Sequence, residues 1–228
     1  MLIYAHRGAS AEYPELTEAA YRAAIEQGAD GFECDLRLSR DGIPVLWHNA
    51  SMLERAGNNG LIAEMTFNEI SRAYPQILTL NDFLDIALES SKGVLLETKH
   101  PVISANAIEE VVAQTLRDRK VLKKIPVSVM SFSWSAVEKL RRINSEIPTT
   151  FLISERTRWF QARYSSAKTL APGITVLRDK NELVAKARSL GKKVAVWTVD
   201  SQADVELCRD LGVDIVITNT PSQARSFL

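Results

Sequence analysis

The chain has 228 residues, 46% apolar and 25% charged, with 28 Lys and Arg balancing 28 Asp and Glu. That length fits one large domain or two small ones, the composition is that of an ordinary globular protein, and the lack of a basic excess argues against nucleic acid as the main partner. No apolar run approaches the ~20 residues that span a bilayer. His6 stands where a signal peptide would need its charged and apolar regions, so a cytoplasmic location is expected. Cys34 and Cys208 lie far apart without metal-type spacing and read as buried thiols of a reducing compartment.

Residues 2–5 form a short apolar run that predicts a buried strand, and it ends abruptly in His6, Arg7 and Gly8. A base and a fixed cation side by side at a strand end suit chemistry on a phosphate. Residues 17–27 carry Ala20, Ala23, Ala24 and Gln27 at helical spacing and stop at Gly28. Residues 31–38 and 44–48 read as two strands of a hairpin around Asp41-Gly42. The 49–79 segment lacks sustained periodicity and reads as an irregular insertion with one short helix near 67–74.

From residue 80 onward the pattern alternates regularly. Helices are predicted over 81–90, 104–120, 135–144, 155–165, 181–190 and 202–211, and a short one from Pro221. Strands are predicted over 94–98, 127–132, 149–153, 173–177, 193–199 and 214–219. Apolar β-branched runs between amphipathic helices predict parallel strands covered by helices. With the 44–48 strand set aside as an appendage, eight βα units remain, the number of a (β/α)8 TIM barrel. A doubly wound sheet usually carries a glycine-rich phosphate loop, and none is present. No linker divides the chain, so residues 1–228 are expected to form a single domain.

In such a barrel the informative residues are charges at strand C-terminal ends. Glu33 and Asp35 stand at i, i+2 and point to one face, and Glu97 and Lys99 repeat the arrangement. Three carboxylates brought close would repel, and one hard divalent cation, Mg²⁺ or Ca²⁺, resolves the conflict better than zinc. The plainer alternative is a set of ion pairs among Glu33, Asp35, Glu97, Arg7 and Lys99 that closes the barrel end. His48 ends the hairpin strand and supplies, with His6, the imidazole pair that acid/base catalysis needs. His100, before Pro101, reads as a surface residue. The basic run at 117–124 reads as a solvated helix end. The aromatic and basic run at 155–164 reads as a packed helix, with a membrane-facing or homo-oligomer-forming rim as the alternative.

These stretches occur in a specific order: HRGAS at 6–10, YPE at 13–15, GADGFECDL at 28–36, DGIPVLWH at 41–48, LLETK at 95–99, WTVD at 197–200 and GVDIVITNTP at 212–221. In that order the chain resembles the glycerophosphodiester phosphodiesterases over nearly its whole length. The resemblance implies a (β/α)8 barrel with one bound Mg²⁺ or Ca²⁺ that cleaves small glycerophosphodiesters to sn-glycerol 3-phosphate and an alcohol. It also implies site roles: Glu33, Asp35 and Glu97 as metal ligands, His6 as base and His48 as acid, and Arg7 and Lys99 as phosphate-binding cations. Glu15 matches an acidic substrate-site residue and Trp197 a pocket-lining aromatic. Three positions depart from the family pattern: Leu16 where Asn is usual, and Asn49 and Asn219 where Asp is usual. A lysophospholipase D acting on lysophospholipids and a noncatalytic phosphodiester-binding barrel are the alternative functions.

Overall fold

A computed structural model describes residues 1–102 and 107–228. Its strands are β1 (Leu2–His6), β2 (Gly31–Leu38), β3 (Pro44–Leu46), β4 (Gly93–Thr98), β5 (Val127–Ser131), β6 (Thr149–Ile153), β7 (Thr169–Pro172), β8 (Lys193–Val196) and β9 (Ile215–Thr218). Eight of them are parallel, and β1 pairs with both β9 and β2, which closes the sheet into a barrel. The ninth, β3, runs antiparallel along β2 and lies outside the closed ring. Helices α1 (Glu18–Glu26), α4 (Leu80–Glu89), α5 (Ala107–Asp118), α6 (Trp134–Ile143), α7 (Trp159–Tyr164), α8 (Ile174–Asp179), α9 (Glu182–Ser189), α10 (Gln202–Asp210) and α11 (Pro221–Ser226) follow the strands. None is long and apolar enough to cross a membrane, among the described residues. The start of the helix expected over 104–120 falls outside the described residues.

The predicted strand over 173–177 is a correction. The chain instead forms β7 at Thr169–Pro172, then turns at Gly173 into α8. Partners decide this: Thr169 to Pro172 align with Thr150 to Ile153 of β6, which uses up the sheet positions available. The β-branched run beginning at Ile174 also fits a helix, because it buries Val176 and Leu177 in the outer core beside Leu183, Val184 and Val205. Tertiary pairing overrode β propensity there.

Inside the ring, Tyr4, Leu95, Met130, Leu152, Ala171, Ala195 and Ile217 pack as one lumen cluster. Tyr4 is the bulkiest, and its ring lies over Gly31 and Gly93: an added Cβ would sit 2.3 Å from Tyr4 Cε1 at the first and 2.2 Å from Tyr4 Oη at the second. A Cβ at Gly31 would also come within 2.7 Å of the Gly93 carbonyl, which cannot swing aside. Gly31→Ala is therefore expected to cost about 1–3 kcal/mol, the usual scale of overpacking, read as a lower urea midpoint at unchanged m.

The 49–79 segment is more ordered than its sequence implies. It contains α2 (Leu53–Ala56), a 3₁₀ turn at Ile62–Glu64 and α3 (Phe67–Ala73), the helix expected near 67–74. Thr66 and Glu69 form a reciprocal cap at the start of α3. Trp47, Met52, Ile62, Ile70 and Ile77 bury one another in a cluster separate from the barrel's cores. Elements this short leave no periodicity to read.

Candidate active site

β1 delivers His6 to the C-terminal rim, and the chain then turns sharply with Arg7 at φ 58° and Gly8 at φ 87°. Glycine is required at the second position twice over, since a Cβ there would also lie 2.6 Å from Ala20. Barrel register supplies the neighbours. His6 aligns with Glu33, and Asp35, two residues further along β2, aligns with Glu97, so residues distant in sequence gather at one end of the lumen. Arg37 donates from Nε and Nη2 to the His48 carbonyl at 2.9 and 2.7 Å, which ties the end of the hairpin to the same rim. His6, Arg7, Glu33, His48, Glu97, Lys99 and Trp197 line a cavity of about 160 Å³ that is closed below by Met130, Leu152 and Ile217 and flanked by Phe132.

Asp35 is the electrostatic hub. Its Oδ2 lies 2.8 Å from Arg7 Nε and its Oδ1 2.9 Å from Lys99 Nζ. Lys99 also donates to Glu97 Oε1 at 2.7 Å. Burial would raise the Asp35 carboxyl, but Lys99 and Arg7 outweigh it and hold the group down at about 2. The same pairs lift Arg7 and Lys99 above their ordinary values although burial opposes them. Glu33 and Glu97 go the other way. Burial, then the Asp35 charge, raises Glu97 to about 7 and Glu33 well above the usual carboxylate range.

Glu33 is the member without a strong cationic partner: among the described residues, its only ion-pair contact is His6 Nε2 at 3.9 Å. The Arg7 backbone N–H also donates to its Oε2 at 3.2 Å. Carboxylate oxygens of Glu33, Asp35 and Glu97 lie within 4.8 Å of one another, all three buried. A buried, all-oxygen triad that, once fully ionised, carries more negative charge than its lysine and arginine neutralise fits one hard divalent cation.

The two imidazoles are held alike. His6 Nδ1 lies 2.7 Å from Asn219 Oδ1, and His48 Nδ1 lies 2.9 Å from Asn49 Oδ1. Burial lowers both histidines below the ordinary value, and Arg7 lowers His6 further. Both are thus biased to the neutral form, which can accept a proton.

Glu15 lies outside the cavity lining but 2.8 Å from Arg7 Nη1. Trp197 lies in the lining, donates from Nε1 to the Ala171 carbonyl at 2.8 Å, and meets Phe132 edge-on at 5.4 Å. Leu16 is buried in the barrel's outer core with φ 59°, and its N–H donates to the Arg7 carbonyl at 2.9 Å. It shapes the Arg7 turn through its backbone and does not reach the cavity. His100 is a correction: it is tucked in, 11% exposed, with Nε2 2.8 Å from the buried Glu109.

Arg55 escaped the sequence reading. It projects from α2, sits over the rings of Trp47 and Tyr74 at 4.8 and 5.1 Å, and reaches Glu15 Oε1 at 3.5 Å. Nothing in a lone arginine of a nonperiodic segment signals this. Ser10 and Asp200 were within recognisable stretches, yet their roles depend on contacts across the closed barrel.

The rim defines the class: a barrel enzyme with its polar groups gathered where TIM barrels keep their chemistry. The chain belongs to the Glycerophosphoryl diester phosphodiesterase family, whose sequence model matches residues 6–223. It is 31% identical over 252 residues to a protein described as "Probable glycerophosphodiester phosphodiesterase 1" of Mycobacterium tuberculosis, covering 99% of this chain and 92% of that one. A glycerophosphodiester phosphodiesterase of Caldanaerobacter subterraneus is 28% identical, with 96% and 94% covered. Among solved structures, the enzyme of Thermotoga maritima superposes with a TM-score of 0.86 at 23% identity, covering all of this chain and 98% of that one. An Oleispira antarctica phosphodiesterase in complex with the product sn-glycerol-3-phosphate superposes with a TM-score of 0.85 at 25% identity, covering 100% and 96%.

Proposed function

We propose that this chain, acting as one domain, hydrolyses glycerophosphodiesters to sn-glycerol 3-phosphate and an alcohol, using one divalent cation and the His6/His48 pair. The observation that carries the proposal is a single small cavity lined by both imidazoles, both fixed cations and two of the three clustered carboxylates. Its volume of about 160 Å³ suits a glycerol phosphate headgroup, and an acyl chain would have to lie outside along Phe132. The free, buried Cys34 and Cys208 support action in a reducing compartment such as the cytoplasm.

Glu33, Asp35 and Glu97 would hold Mg²⁺ or Ca²⁺, which when bound supplies Lewis-acid stabilisation of charge on the phosphoryl oxygens. Arg7 and Lys99 hold the phosphodiester anion and meet the negative charge that builds on its nonbridging oxygens. His6, neutral and with Nε2 toward the cavity, takes the proton from the attacking oxygen, either water or the glycerol 2-hydroxyl. His48, which must first take up a proton to become the imidazolium, gives the proton on its cavity-facing nitrogen to the departing alkoxide.

Arg55 acts at a distance: its Nη2 donates to the Glu15 backbone carbonyl at 2.5 Å and its charge stands 3.5 Å from the Glu15 carboxylate that orients Arg7. Arg55→Ala is expected to raise KM by roughly threefold to tenfold while changing kcat less, because it loosens a substrate contact made before the chemical step.

The test is release of glycerol 3-phosphate from glycerophosphocholine with Mg²⁺, with Ca²⁺ and with chelator. Release that needs a cation supports the proposal. Formation of choline and lysophosphatidic acid from lysophosphatidylcholine, with no glycerol 3-phosphate from glycerophosphocholine, would favour the lysophospholipase D alternative, and no product from either would favour a binding barrel.

A further inference from the structure

We infer that Asp200 and Glu54 are positioning residues that set the tautomers of His6 and His48 through the amides of Asn219 and Asn49, an inference that rests on the catalytic roles proposed above. A carboxylate only accepts hydrogen bonds. Asp200 Oδ2 accepts from Asn219 Nδ2 at 2.7 Å, so the other end of that amide, Oδ1, must face His6 Nδ1 at 2.7 Å. An acceptor at that position requires Nδ1 to carry the hydrogen. Nε2 is then left with the lone pair, on the cavity side, as a general base requires.

Ser10 cannot make this choice. Its hydroxyl has one proton and two acceptors in reach, the His6 carbonyl at 2.7 Å and Asn219 Oδ1 at 2.8 Å. Were the amide reversed, Ser10 would donate to the carbonyl and accept from the amide, with nothing lost. Only Asp200 distinguishes the two orientations, and it is itself fixed, since its Oδ1 accepts from the Asn219 backbone N–H at 2.7 Å and from Thr218 Oγ1 at 2.8 Å.

The second histidine repeats the arrangement. Asn49 Nδ2 donates to Glu54, which turns Asn49 Oδ1 toward His48 Nδ1 at 2.9 Å. Glu54 is exposed on α2 and makes only this bond among the described residues, so its hold is the looser of the two. In both relays a carboxylate dictates the ring's proton position from one amide away, and the imidazole itself meets a neutral acceptor.

The chain has three histidines, so imidazole nitrogens labelled with ¹⁵N can be followed one by one in long-range proton–nitrogen spectra. Spectra are recorded near neutral to mildly basic pH, with chelator and with Mg²⁺. Wild type is expected to show Nδ1–H at His6. In Asp200→Asn the retained Oδ1 keeps its two donors, the new NH₂ faces Asn219, and the Asn219 amide must reverse, so His6 is expected to switch to Nε2–H. Asn219→Ala is expected to lose the pure Nδ1–H form and give a mixture, because no acceptor then fixes Nδ1. Glu54→Ala is expected to give a mixture at His48, while His100, held by Glu109, stays unchanged as the internal control.

A His6 that stays purely Nδ1–H in Asp200→Asn overturns the inference. If that variant does not fold, the same result in Asn219→Ala overturns it. A purely Nδ1–H His48 in Glu54→Ala overturns the Glu54 half. With the tautomer switched, kcat is expected to fall by about 10²-fold with little change in KM. A switched tautomer with undiminished kcat leaves the relay standing and removes His6 from the proposed mechanism.

Discussion

His48→Ala is expected to lower turnover of glycerophosphocholine by about 10²-fold or more, the scale of positioned proton transfer. The fold should tolerate the change. Arg37 grips the His48 backbone carbonyl, which alanine keeps, and among the described residues the lost ring makes one hydrogen bond, to the amide of Asn49. Melting temperature and metal affinity should therefore stay near wild type, so the loss can be assigned to chemistry. A sharper measurement uses a glycerophosphodiester of p-nitrophenol, whose leaving group departs without a proton. His48→Ala should then recover most of its activity and His6→Ala should not, because the attacking oxygen still needs a base. Equal losses on both substrates for both variants would sink the division of labour.

Glu33→Gln is expected to stabilise the metal-free protein, an unusual sign for a buried substitution. Among the described residues its buried carboxylate has no Lys or Arg side chain in ion-pair contact and stands beside Asp35 and Glu97, so the neutral amide removes repulsion worth about 1 kcal/mol or more. The same change removes one proposed ligand, so the rise in melting temperature that Mg²⁺ or Ca²⁺ produces in wild type should largely vanish. Asp35→Asn should do the opposite, costing about 3–5 kcal/mol, because Arg7 and Lys99 lose the charge that both contact. Linkage gives an independent signature. Glu33 and Glu97 bind protons more tightly in the folded state than unfolded, so metal-free stability should fall as pH rises from about 4.3, the free glutamate value, through about 7, the folded Glu97 value. Glu33→Gln should flatten that slope. Identical melting curves for wild type and Glu33→Gln with chelator would refute this account of the cluster.

Most of the barrel could be read directly, because parallel strands buried on both faces announce themselves as continuous apolar runs. The 173–177 assignment failed since Ile174, Val176 and Leu177 satisfy a helix face as well as a strand, and only pairing with β6 separates the two. The site was legible in residue type: His6, Arg7, Glu33, Asp35, His48, Glu97 and Lys99 all meet at one rim. What could not be read was who holds whom. Leu16 departs from the family's Asn, and folding makes it a core residue in a left-handed turn, where Asn would be easier for the backbone. Asn49 and Asn219 depart from the family's Asp, and each has a carboxylate behind it that only folding brings near.

The hairpin strand β3 separates the two proton-transfer groups mechanically. His6 is carried by a strand of the closed ring, whereas His48 is carried by a segment with its own small core around Trp47 and Ile70. That small core can open while the ring stays shut. Heating should thus silence the enzyme before the barrel's circular dichroism changes, and amides of 49–79 should exchange with solvent well ahead of those in β1, β2 and β4.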